Sequence, residues 1–275
     1  MVKEKVYFWP QWFAASLLSK DRQKIKLSQL KSLGQANLYL WRALNIYDDF
    51  LDGTGQAKLL PGANSYYRKY LEIYYRLNLP PKFYQLFNKI NDELDNANRQ
   101  EVSRPKLKIQ NNNIILPSRL SSFKNLTDLS KKSLALGLGP IAIMFLNNPK
   151  VEMKNIRSVL SFFRKALATK QLSDDTRDWL EDLKNGAITA ANIHILKAAK
   201  HRKISLNIKK EPEIIYLLFV ESTVRLSSQL EYLCQKTRQA GEKAGLANNS
   251  LLLNKIIKPI ETGVRETAAF RALLN

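Results

Sequence analysis

Gln171-Leu172-Ser173-Asp174-Asp175-Thr176-Arg177-Asp178-Trp179-Leu180-Glu181-Asp182-Leu183-Lys184-Asn185-Gly186 is the stretch on which the reading of this chain turns. Gln171, Asp174, Asp178 and Asp182 recur at helical spacing, and Gly186 reads as a helix stop. Upstream, Phe163 and Leu167 continue the Asp174 face in apolar form. The same D-D-x-x-D pattern stands at Asp48-Asp49-Phe50-Leu51-Asp52, with Trp41 and Leu44 behind it and Gly53 ending the run. On a helix the first and last Asp of each motif lie on one face. Each motif therefore predicts a helix with acids at its C-terminal end and an apolar stripe behind them.

Repetition is the informative part, because the chain has only 24 acidic residues against 44 basic ones. Crowded carboxylates repel at short range, so a fold that points them into one cavity calls for cations. Two facing acidic helices would form a cage of hard oxygen ligands. Such a cage suits Mg²⁺, which favours a few carboxylates plus substrate phosphates. The predicted site is a diphosphate held between two Asp-lined helices by Mg²⁺, with an apolar interior below. The competing reading is two solvated helix faces, with Arg177 and Lys184 pairing locally with the acids of the second motif.

The rest of the chain is helical in pattern, and strand-like alternation is nearly absent. Helices are predicted near 11–19, 22–52, 63–78, 82–100, 119–147, 151–184, 188–200, 211–239 and 249–273. The polar stretch 101–117, with Pro105, Asn111-Asn112-Asn113 and Pro117, predicts a loop or a short extended excursion. Gly137, Gly139 and Pro140 predict a kink, made either for an approaching diphosphate or for close helix packing. With no repeat and no low-complexity linker, residues 1–275 are expected to form one all-α helical bundle around a central cavity.

A net charge of +20 admits three readings: attraction to anionic lipid or diphosphate, nucleic-acid binding, or a basic composition on solvated faces. The basic residues are spread along the chain with no recognisable nucleic-acid motif, which puts nucleic acid last. Cys234 is the single cysteine, so an internal disulfide is excluded and a reducing cytoplasm fits. The aromatic start, Val6-Tyr7-Phe8-Trp9-Pro10-Gln11-Trp12-Phe13, predicts a first helix leaning on a membrane surface rather than a cleaved leader.

In these motifs the chain resembles the class I isoprenoid synthases. Gln171 to Asp182 is similar to the second aspartate-rich motif of trans-prenyltransferases, and Asp48 to Asp52 matches their first. Asp178-Trp179-Leu180-Glu181-Asp182 also resembles the D-x-x-E-D element of squalene and phytoene synthases, and Arg42-Ala43-Leu44-Asn45 their R-A-L-D opening. Lys132-Ser133-Leu134 resembles a Lys-Thr element that contacts diphosphate. The resemblance implies ionisation of an allylic prenyl diphosphate with three Mg²⁺, Mn²⁺ serving as a substitute. It implies that Asp48 and Asp52 ligate two of the ions and that Asp174 leads at the third. Asp49, Asp175, Asp178 and Asp182 would complete or support the ligand set. Arg42, Lys132, Gln171, Arg177 and Lys184 are the substrate-binding candidates, and Trp41, Ala43, Leu44, Phe163 and Leu167 the pocket.

The expected activity is a prenyltransferase, with a head-to-head synthase or a cyclase as alternatives. A non-catalytic relative that binds a partner or a membrane is the alternative of another class. Departures are visible: no Arg pair follows the first motif, and the terpene-cyclase Asn-Ser/Thr-Glu triad is not found. A homodimer and peripheral membrane contact are further expectations.

Overall fold

Apolar periodicity builds the helices seen in the computed structural model, which describes residues 5–17, 25–120, 123, 125–247 and 250–272. In α2 (Leu27–Leu51), Leu33, Ala36, Leu40 and Ala43 recur every three or four residues and are fully buried. It is preceded by the short α1 (Trp9–Ala15), whose Trp9 and Phe13 are core residues. Within the aromatic start, Val6, Trp9 and Phe13 pack inward while Phe8 is exposed. Antiparallel neighbours α3 (Leu60–Arg76) and α4 (Pro81–Val102) follow. Tyr70 and Tyr74 meet Phe83 and Phe87 with ring centroids 5.0 to 5.7 Å apart. Pro81 opens α4, where its missing N–H is no loss.

The second half holds α5 (Leu138–Asn147), α6 (Met153–Arg177), α7 (Trp179–Lys184), α8 (Ile193–Arg202) and the long α9 (Pro212–Lys243). Two further helices, α10 (Leu251–Ile256) and α11 (Lys258–Ala272), close the described chain. Among the described residues there are 11 α-helices, and no helix is long and apolar enough to cross a membrane. The described residues are all-α apart from one small sheet. Its main core joins α1–α6 with α10, and smaller clusters lie beneath α7–α9 and between α6 and α9.

Three expectations need adjustment. First, the region 101–117 contains a hairpin of β1 (Lys108–Gln110) and β2 (Asn113–Ile115). Asn111 and Asn112 turn it with φ of 49° and 63°. A third strand, β3 (Leu206–Asn207), pairs antiparallel with β2 and sets Ile114 beside Leu206. These strands are too short to show a period of two.

Second, 119–147 is not one helix. The 3₁₀ turns Leu126–Ser130 and Leu134–Gly137 precede α5. Pro140 has no N–H to donate to the carbonyl of Leu136. That carbonyl instead accepts from Asn37 Nδ2 at 3.1 Å, and the same amide donates to Val6 O at 3.1 Å. The glycines serve close packing: a Cβ on Gly137 would sit 2.9 Å from the Phe163 ring, and one on Gly139 would sit 2.9 Å from Pro10.

Third, 151–184 breaks at Asp178, where φ is −95° and ψ is 8°. α7 then leaves in a new direction, with Trp179 stacked on Phe219 of α9 at 4.1 Å. The boundaries expected at 19, 22, 249 and 273 lie outside the described residues.

Candidate functional site

Both acidic motifs end their helices in the same way. At the first, Gly53 has φ 82°, its N–H donates to Phe50 O, and Thr54 N–H reaches Asp49 O. At the second, Gly186 has φ 73°, its N–H donates to Leu183 O, and Ala187 N–H reaches Asp182 O. These paired bonds are Schellman ends, and glycine supplies their left-handed residue. Gly186 also lies under a chain crossing, since Leu107 N–H donates to its carbonyl at 2.8 Å. A Cβ there would stand 2.8 Å from the Leu107 carbonyl oxygen. We expect Gly186→Ala to cost at least about 1–3 kcal/mol through strain and clash, measured by denaturant unfolding. A midpoint unchanged from wild type would refute this account of the helix end.

Asp48 and Asp52 at the end of α2, and Asp174 and Asp175 at the end of α6, lie where the backbone dipole is negative. Cations partly offset that. Lys106 Nζ donates to the Leu51 carbonyl at the end of α2 at 3.2 Å. Lys132, on the turn between the two 3₁₀ segments, stands between Asp48, with Nζ 2.5 Å from Oδ1, and Glu101 at the end of α4. Burial opposes its charge, but Asp48 and Glu101 together lift its pKa to about 12. Glu101 was not among the sequence-derived candidates.

From the second motif, Asp175 turns inward and is only 7% exposed. Gln171 Nε2 donates to it at 2.8 Å and Ala190 N–H at 3.3 Å. Burial pushes its pKa up to about 6 against those two donors, with Lys132 lowering it and Glu101 raising it. Asp182 is pushed up to about 7, first by burial, then by the charges of Asp175, Asp178 and Asp52. Asp52 in turn is raised by burial and by Asp48, with Lys132 opposing. The two motifs, 126 residues apart, therefore share one electrostatic field, with Lys132 inside it.

Asp174 takes no part in that meeting. Its carboxylate pairs with Lys170 and Arg177 of its own helix. Arg177 is thereby committed to a local ion pair, as the solvated-face reading expected for this residue. Asp49 is exposed, and its backbone carbonyl, not its carboxylate, holds the following turn. The Arg42 guanidinium lies 5.7 Å from the Tyr66 ring centroid, and Lys184 is exposed. Ala43, Phe163 and Leu167 are core residues, with Phe163 stacked on Trp9 at 6.0 Å; Trp41 and Leu44 are half-buried against the same core.

The donor set consists of carboxylate oxygens with raised affinity for positive charge, which suits a hard divalent cation. Among the described residues no three of these acids converge at the spacing of a single ligand shell. Lys132 occupies the space between Asp48 and Glu101. The chain matches no known protein-family model, and no curated protein matches it.

Proposed function

We propose that the protein is a class I isoprenoid synthase that ionises an allylic prenyl diphosphate in a Mg²⁺-dependent reaction. The observation that carries this reading is the shared field of Asp52 from the first motif with Asp175, Asp178 and Asp182 from the second. So many acids brought into one field from two distant motifs are an electrostatic burden that a purely structural role does not explain. Asp48, Asp52, Asp178 and Asp182 would hold the metal ions, and Asp175 would act as a braced neighbour. When bound, Mg²⁺ would supply Lewis-acid stabilisation of a leaving diphosphate. Lys132 would bind phosphate oxygens once the acids are neutralised. Gln171 orients Asp175.

Within that class, one observation favours the head-to-head condensing reading over chain elongation. Asp182, the last acid of Asp178-Trp179-Leu180-Glu181-Asp182, feels the charge of Asp52 from the first motif, whereas Asp174, leader of the elongating-type motif, is tied up by Lys170 and Arg177. The test is incubation of the purified protein and of Asp48→Ala with Mg²⁺ and geranyl, farnesyl or geranylgeranyl diphosphate. Each is run with and without isopentenyl diphosphate. Condensed or hydrocarbon products without isopentenyl diphosphate support the head-to-head reading, with turnover falling at least about a hundredfold in Asp48→Ala. Longer diphosphates formed only with isopentenyl diphosphate support elongation. Absence of Mg²⁺-dependent turnover on every substrate would remove the enzymatic reading.

A further inference from the structure

A groove of ≈ 340 Å³ lies between α8 and α9, and no residue of the acidic motifs is in its lining. His194, Lys197 and His201 line it from one face of α8, and Ser222 and Arg225 face them from α9. Arg202 also lines it, its guanidinium held by Glu221 through bonds of 3.1 and 2.7 Å. Among the described residues Glu221 is the only acid in the lining, and it is spent on Arg202. Among the described residues neither Lys197 nor Arg225 has a carboxylate partner. The groove is thus a concave surface with two uncompensated permanent cations, a third fixed in place, two imidazoles and a hydroxyl.

We propose that this groove is a second anion site, taking a phosphate group between Lys197 and Arg225. Phosphate offers several acceptor oxygens to donors arriving from two walls, and guanidinium and ammonium groups are suited to it. Ser222, 8% exposed, supplies a polar floor, although its hydroxyl also donates to Leu218 O at 2.7 Å. Burial holds the His194 imidazole below its ordinary range, and the charges of Arg225 and Lys197 push the same way. A bound anion would relieve that repulsion. The phosphate group has two sources, a soluble diphosphate or the headgroup of an anionic lipid.

The experiment uses the full chain in EDTA, where the acidic motifs repel anions and contribute no binding. Inorganic diphosphate is titrated calorimetrically into wild type, Lys197→Gln/Arg225→Gln, and a charge-matched control, Lys82→Gln/Lys89→Gln, on the exposed face of α4. A second arm measures co-sedimentation with phosphatidylcholine vesicles, with and without phosphatidylglycerol. The groove variant should bind at least about tenfold more weakly than wild type and control. Loss in the diphosphate arm assigns a soluble ligand, and loss in the vesicle arm a lipid phosphate. The proposal is overturned if wild type binds neither, or if groove and control variants weaken equally, which would make bulk charge the cause. Lys197 and Arg225 are both exposed, and the single substitutions supply the same comparison if the double variant fails to fold.

Discussion

Asp182→Asn should abolish turnover and at the same time raise the melting temperature of the metal-free protein above neutral pH. The sign follows from its raised pKa. An Asp with an unfolded value of 3.8 and a folded value of about 7 binds more protons in the folded state between those limits. Its contribution to stability is complete below about pH 4 and is lost as pH rises through about 7. Asp175, pushed to about 6, acts in the same direction. Wild type without metal should therefore lose stability from pH 4 to pH 8, and Asp182→Asn should show a shallower loss. With allowance for solvent screening of a half-exposed carboxylate, the gain at pH 8 is about 1–2 kcal/mol, or about 3–5 °C in melting temperature. Turnover should fall at least about a hundredfold. Calorimetric scans across pH check the first part; a lower melting temperature for Asp182→Asn at pH 8 would contradict the electrostatic picture. Added Mg²⁺ with diphosphate should stabilise wild type more than the variant, because only binding to the folded state counts.

Lys132→Met should cut turnover as severely and move stability the other way. It removes the cation that stands between Asp48 and Glu101 and leaves their charges without that partner, with only Lys106 still opposing the charge of Asp52. Removing one partner of a partly buried pair costs about 1–3 kcal/mol here, less than the figure for a fully buried pair, because the Lys132 side chain is 30% exposed. Loss of a preorganised positive group at a developing anion costs about 10²–10³ in rate. The loss of stability should shrink at low pH, where the acids protonate. Equal stability of Lys132→Met and wild type at low ionic strength and pH 8 would mean that the ion pairs contribute nothing.

The helices were legible wherever an apolar stripe recurred, as in Phe83, Phe87, Ile90 and Leu94 of α4 or Leu226, Leu230 and Leu233 of α9. The segment before α5 was not, because its conformation is decided by Asn37 at a distance of 99 residues and by Pro140 together. The two motifs were visible as patterns, but the choice of facing acids was not. Gln171-Asp174-Asp178 and Gln171-Asp175-Asp178 have equivalent helical spacing, three plus four against four plus three. What decides between them is Lys170 and Arg177, which flank Asp174 and hold it, together with the Ala190 N–H that meets Asp175. Glu101 carried no local signal at all. Its role comes from Lys132, 31 residues downstream, folding back over the end of α4.

The acidic cluster is assembled from four remote segments, with Lys132 lying 84 residues from Asp48. Contacts of that span close late in folding, since each requires a large loop to be ordered first. The mutual repulsion of the aspartates is consequently absent from the early chain and weak at the folding barrier. Its cost is therefore expected to fall on the lifetime of the native state: neutralising these carboxylates should slow unfolding and leave the folding rate nearly unchanged, as read from the two arms of a chevron plot.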